Sequence, residues 1–178
     1  YAKALDPKRM ALHVSNKRHR QGENAPNNPL NNGDTTFQNI YQQNPPAVMD
    51  TIRKRWPNKA VFISEFGYAP ASRFTNPSLD NTFKGLGDWY QHFRGQRTFI
   101  TGASVWTYND YRSGYTQSLP SENRAWGLVN VWRTKRRYFE THQNENSPVK
   151  EMFIDRIDGK RKATIAIEIR NAEDFPSY

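Results

Sequence analysis

Hydrophobic and polar positions along the chain fall into two successive grammars. In the first, short apolar runs alternate with stretches of helical spacing. Met10–Ser15 (MALHVS) and Thr36–Tyr41 (TFQNIY) read as strands, and Ala60–Ser64 (AVFIS) reads as a buried strand by its continuous apolar character. Phe99–Thr107 (FITGASVWT) is a fourth. Asp6-Pro7 ends whatever helix precedes the first strand, and a polar loop rich in Asn, Pro and Gly runs from Asn16 to about Thr35. Pro45-Pro46 opens a helix that reaches about Trp56, since prolines are tolerated in a first turn. Asn81–Phe93 is expected to be helical in spite of Gly85 and Gly87, and Val131–His142 is expected to be the last helix.

Strand, helix, strand, helix predicts a parallel sheet with crossover helices. After Pro148 the grammar changes. Val149–Arg156 and Arg161–Arg170 alternate apolar and polar residues around Asp158-Gly159, which predicts a β-hairpin. A boundary therefore falls near Asn146–Pro148, dividing an α/β unit (1–146) from the start of an all-β unit (147–178). Tyr1 opens the chain without Met and Tyr178 closes it just after a strand-like run, so both ends read as cuts.

Composition narrows the chemistry. The hydrophobic fraction is 35% and the aromatic fraction 13%, with mean hydropathy −0.96. Few aliphatics and many rings among polar residues suit a carbohydrate site, where rings stack on sugar faces, or single-stranded nucleic acid, where they stack on bases. The net charge of +9 keeps nucleic acid in view. Its cations are scattered, however, over Lys17–Arg20, Arg53–Arg55, Arg133 with Lys135–Arg137, and Lys160–Lys162. Separate clusters read as solvated faces, which weighs against nucleic acid unless they converge on one face. An acidic polysaccharide would satisfy the same charge. Without Cys there is no disulfide framework or thiol nucleophile, and no run is apolar and long enough to span a membrane.

Three stretches carry candidate chemistry. In VFISEFGY a buried strand runs into Glu65, and the C-terminal end of a parallel strand is where barrel enzymes put catalytic groups. From position alone, a carboxylate that caps the next segment or pairs with an arginine stands level with that reading. GASVWTYNDYR ends a strand in aromatic and polar residues: Trp106 can offer a ring to a sugar, while Asn109, Asp110 and Arg112 can bond hydroxyls. An edge-of-core Trp above an ordinary loop is the plainer alternative. In TFQNIY, Asn39 and Tyr41 lie on one face, and a phenol beside a carboxylate can hold it ionised.

Taken in order, these motifs resemble the catalytic domain of glycoside hydrolase family 2, which contains β-galactosidases, β-glucuronidases and β-mannosidases. ALDPKRMALHVSN is similar to the family's fifth barrel strand and its approach, TFQNIY to the sixth, KAVFISEFG to the seventh and ITGASVWTYNDY to the eighth. SEFG alone is weakly specific; four motifs in register over nearly the whole chain are specific. The resemblance implies the C-terminal half of a (β/α)8 TIM barrel, strands five to eight, followed by the beginning of a β-sandwich domain. It implies Glu65 as nucleophile, Tyr41 as its hydrogen-bonding neighbour, Trp106 as a wall of the site and Tyr68 as a residue facing it.

The family's acid/base is a Glu in an Asn-Glu pair ending the fourth strand, before this chain begins. Asn144-Glu145 follows the last helix in a polar loop and is not accepted as a substitute. Partners implied are a carbohydrate substrate, with an anionic polysaccharide included, and the missing N-terminal half of the same enzyme. No metal or organic cofactor is demanded, although some β-galactosidases of the family use magnesium and sodium; His13, His19, His92 and His142 are dispersed and form no ligand cluster in the sequence. β-Glucuronidases of the family carry Asn-x-Lys after the eighth strand. Here Asn123 matches but Ala125 stands at the Lys position, which favours a β-galactosidase over a β-glucuronidase. Arg124 or Arg112 can still grip a carboxylate or sulfate, since a guanidinium forks onto either; pairing of Arg124 with Glu122 or a helix end is the alternative. A non-catalytic carbohydrate-binding fragment would keep Trp106 and Tyr41 without needing Glu65.

Overall fold

A computed structural model describes residues 2–15, 31, 33–41, 45–67, 85–96, 98–114, 123–159 and 162–171. Tyr68, Glu122, the Lys17–Arg20 cluster, most of the loop after Asn16 and the side chain of Asn123 lie outside the described residues.

Four strands, β1 (Leu12–Ser15), β2 (Thr35–Tyr41), β3 (Val61–Gly67) and β4 (Ile100–Val105), form one sheet in the order β1-β2-β3-β4, and every pairing is parallel. This is the neighbouring, parallel arrangement that the alternating pattern predicts. The helices are α1 (Ala2–Leu5), α2 (Pro45–Arg55), α3 (Leu86–Gly95) and α4 (Phe139–Glu145). Tyr111–Arg112 (β5) pairs antiparallel with Asn123–Arg124 (β6), a small ribbon that the hydropathy pattern does not signal. Val149–Asp158 (β7) and Lys162–Ile169 (β8) form the expected hairpin, with Gly159 at φ 68° taking its turn.

The core lies between one face of the sheet and α2 and α3. Along β2, burial alternates strictly, so Thr36, Gln38 and Ile40 face inward while Phe37, Asn39 and Tyr41 stay partly exposed. Val48, Met49 and Ile52 present one stripe of α2, extended by Trp56 just beyond its end, and Leu86, Tyr90 and Phe93 present one stripe of α3. Phe66 closes the contact edge-on, 5.4 Å from the Tyr90 ring and 5.0 Å from Phe93. Each such fully buried side chain stabilises by about 1.5–3 kcal/mol.

Several boundaries differ from the sequence reading, three of them with a visible cause. Helix α3 starts at Leu86, because Gly85 at φ 81° takes a left-handed conformation that a helix interior excludes; positions 81–84 of the expected helix lie outside the described residues. The last helix starts at Phe139 rather than Val131. There the Asn130 side chain accepts the backbone N–H groups of Trp132 and Thr134, both at 2.9 Å, and Arg133 sits at φ 66°. Asn-directed turn bonding offers those backbone groups an alternative to the helix. Finally, β3 does not stop at Ser64; it continues through Glu65 to Gly67, because Phe66 still packs into the core and Gly67 still pairs with Tyr41.

Candidate active site

Parallel pairing brings the C-terminal ends of β2, β3 and β4 to one side. Asn39 stands opposite Glu65 in register, and Tyr41 opposite Gly67. From there the Tyr41 hydroxyl donates to Oε2 of Glu65. Burial, and then this bond to Glu65, push the Tyr41 phenol well above its ordinary range, so it remains a proton donor to the carboxylate. Beside it, Ser64 Oγ donates to Asn39 Oδ1 at 2.6 Å. The two strands thus carry a hydroxyl-to-acceptor bond in each direction on one face.

The rim grows outward from Tyr41. Its ring lies 5.8 Å from that of Trp126. The Arg124 guanidinium sits 4.1 Å over the Trp126 ring and donates to the Tyr111 hydroxyl at 3.2 Å. Trp106 Nε1 donates to the same oxygen at 3.1 Å, with its ring edge-on to Tyr111 at 5.7 Å. The β5–β6 ribbon sets this geometry by placing Tyr111 directly opposite Arg124. Trp106 is anchored to β3 by its backbone N–H, which donates to the Phe66 carbonyl at 2.7 Å, and its peptide bond to Thr107 is cis. A hydroxyl has one proton and two lone pairs, so Tyr111, accepting twice, keeps its proton to donate. Glu65, Tyr41, Trp126, Arg124, Tyr111 and Trp106 are therefore linked without a gap.

Other residues expected at the site are placed differently. Asp110 is turned inward: Arg136 grips both of its oxygens at 2.6 and 2.7 Å, and the Gly127 N–H adds a bond at 2.9 Å. That carboxylate pins the strand-end loop to the 127–136 segment, because a buried charge is tolerable only when paired. Gly127 itself is required there, since a Cβ would fall 2.2–2.4 Å from backbone atoms of Val129, Asp110 and Asn109. The Asn109 side chain is spent locally on the Asp110 carbonyl at 2.5 Å. Arg112 is exposed and paired in register with Asn123. Asn144-Glu145 closes α4 rather than following it in a loop, and Glu145 accepts from Arg94, tying α4 to α3.

Two histidines are shifted downward, His92 by burial with Asp50 opposing, and His142 by burial. His142 Nδ1 lies 2.7 Å from the Tyr90 hydroxyl, so it belongs to the helix contact. Among the described residues no group of three or more His, Asp or Glu side chains converges as a metal site would require. None of the described helices is long and apolar enough to cross a membrane.

No family model and no curated protein matches the chain. Solved structures do. A Bacteroides uniformis β-glucuronidase superposes with a TM-score of 0.57 at 16% identity, covering 85% of this chain and 20% of that one. Bacteroides uniformis β-glucuronidase 2, covalently bound to cyclophellitol-6-carboxylate aziridine, gives 0.56 at 16% identity, with 85% and 20% covered. The chain shares its fold with part of a β-glucuronidase. It spans about a fifth of the length of these structures.

Sequence reading misses three participants: Ser64, Tyr111 and Trp126. Tyr111 and Trp126 lie inside stretches singled out for other residues. Their signal is spatial, a two-residue ribbon that brings positions 111 and 124 face to face.

Proposed function

We propose that the chain is the nucleophile-bearing part of the (β/α)8 catalytic barrel of a retaining exo-β-glycosidase, with β1 to β4 as its fifth to eighth strands and β7–β8 opening a second, all-β domain. The observation that carries this reading is the Tyr41–Glu65 hydrogen bond at the C-terminal ends of adjacent parallel strands. One Glu65 oxygen is held by the phenol, which stabilises the anion and leaves the other oxygen to attack an anomeric carbon. Attack forms a glycosyl-enzyme as the leaving oxygen takes a proton from a second carboxyl. That group then takes a proton from the water that releases the sugar. Retention requires the two carboxyls about 5–5.5 Å apart. The second is assigned, by the family resemblance, to the Asn-Glu of a preceding strand.

On the sugar, the sequence reading and the matched structures point to different members of the family. The matched structures are β-glucuronidases, and nothing in them supports the galactoside that Ala125 favours. Arg124, stacked on Trp126 within the rim, gives the site a cation suited to a uronate carboxylate in spite of Ala125. A β-glucuronide is accordingly the first substrate to try. In the full-length polypeptide, Glu65→Gln is expected to lower hydrolysis of the preferred aryl β-glycoside by several orders of magnitude with the fold intact. A mechanism-based 2-fluoroglycoside should label Glu65 covalently. An unlabelled mass spectrum, or near-normal turnover by the Gln variant, rejects the assignment. Comparing aryl β-glucuronide with aryl β-galactoside decides the sugar.

A further inference from the structure

In a regular strand neighbouring side chains point to opposite faces. Strand β3 breaks that rule at Ser64 and Glu65. Val61, Ile63 and Phe66 are fully buried, whereas Phe62 and then both Ser64 and Glu65 are only partly so. Both neighbouring strands register the same break. Gln38 stands opposite Ile63 and Asn39 opposite Glu65, which leaves Ser64 as the extra residue. On the other side Ile63 pairs with Ala103 and Phe66 with Val105, so Ser64 and Glu65 together face the single residue Ser104. The hydrogen bonds agree. Of Asn39 and Tyr41, two apart and on one face of β2, the first accepts from Ser64 and the second donates to Glu65. Adjacent residues of β3 therefore point the same way, as a bulge requires.

The consequence for Glu65 is large. Strict alternation from Ile63 would send position 65 toward α3, among Leu86, Tyr90 and Phe93, where a carboxylate would be stranded in apolar surroundings. The extra residue shifts the phase, so that Glu65 turns to the Tyr41 side and Phe66 takes the core position. A bulge in an inner strand needs something to hold it, because the extra residue falls out of the ladder. Here the Ser64 hydroxyl, fixed at 2.6 Å to Asn39 on the neighbouring strand, does so.

We propose that Ser64 and Asn39 are positioning residues for the nucleophile: their hydrogen bond fixes the bulge that aims Glu65. This rests on the glycosidase reading above and adds to it a role for Asn39 other than touching the sugar. Reacting atoms must meet within a few tenths of an ångström, and a misplacement of about 1 Å costs on the order of 100-fold in rate. The test uses the full-length polypeptide and its preferred aryl glycoside. Ser64→Ala should lower kcat and the rate of 2-fluoroglycoside labelling together by about 10- to 100-fold. KM and the affinity for a competitive sugar inhibitor should stay within about twofold, because the mutation removes alignment rather than binding. Ser64→Thr, which keeps the hydroxyl, should restore most of the rate. Asn39→Ala should match Ser64→Ala, and the double variant should be no slower than either, as expected when two residues act through one bond. Unchanged kcat in Ser64→Ala, failure of Thr to rescue, or additive losses overturn the proposal. If Ser64→Ala does not fold, Asn39→Ala and Ser64→Thr carry the same decision. Glu65→Gln run in parallel separates the two ideas: turnover that survives it sinks the reading of Glu65 as nucleophile, whereas turnover lost with Glu65 but indifferent to Ser64 sinks only the positioning role.

Discussion

The parallel sheet and the β7–β8 hairpin are built on the same plan and end in opposite states. Each has one apolar face held in phase by bulges. In the sheet that face is covered: Ile40, Val61, Ile63 and Phe66 are 0% exposed beneath α2 and α3. In the hairpin, pairing puts Val149 opposite Ile169, Met152 opposite Ile167, Ile154 opposite Ile165 and Ile157 opposite Ala163, all on one side. The spacing of Val149, Met152, Ile154 and Ile157 is uneven, and the register shifts by one residue at each longer step. Yet Ile154, Ile165 and Ile169 are 61, 54 and 70% exposed. Patterning therefore selects the element and its face, while the stabilisation comes only from what lies on top. An uncovered two-stranded hairpin is marginal in water.

Charge pairs show the contrast most sharply, and breaking them is the strongest test. Asp110→Asn should cost about 3–5 kcal/mol in urea unfolding, because it leaves the largely enclosed Arg136 without its counter-ion. Glu168→Gln, which removes the exposed partner of Lys150, should cost no more than about 1 kcal/mol. Equal costs would mean that the two regions are covered alike. Next, Ile63→Ala should destabilise by about 2–5 kcal/mol through the cavity it opens, while Ile165→Ala should fall within about 0.5 kcal/mol. A weaker effect is expected on association. The bare apolar face should make the 178-residue chain self-associate, and replacing Ile154 and Ile167 together by Lys should shift it toward monomer in analytical ultracentrifugation. An unaltered sedimentation profile would clear the hairpin and implicate another surface.

The smallest expected effect is on acid stability. Burial lowers the His142 pKa in the folded chain, so as pH falls past about 6.5 the unfolded state takes the proton first. Stability should decline in that window, and His142→Gln, still able to bond Tyr90, should flatten the decline. A slope that persists in the variant assigns it to another group.

Much of this was legible in the linear pattern. Apolar runs separated by helical spacing predict the parallel strands in their order, and a hydrophobic run meeting Glu65 predicts a carboxylate at a strand end. Tyr41 follows from period two along TFQNIY. What could not be read has a common cause: it depends on departures from local regularity that only neighbours reveal. Ser64 looks like one more alternating residue until β2 and β4 both skip it. Asp110 looks like a sugar ligand until Arg136, twenty-six residues on, folds back to it. Val131–His142 has helical composition, but a single Asn130 side chain turns its first half aside.

Gly127 shows how far such departures reach. Backbone atoms of Asn109, Asp110 and Val129 crowd it so tightly that not even a methyl group fits, although it has no role in the chemistry proposed for Glu65. In a mutational scan it would behave as an invariant position with no chemistry of its own, as intolerant as the nucleophile and for an unrelated reason. Intolerance scored by growth or activity would merge the two. Only a parallel measure of soluble yield tells the residue that reacts from the residue that merely lets the chain pass.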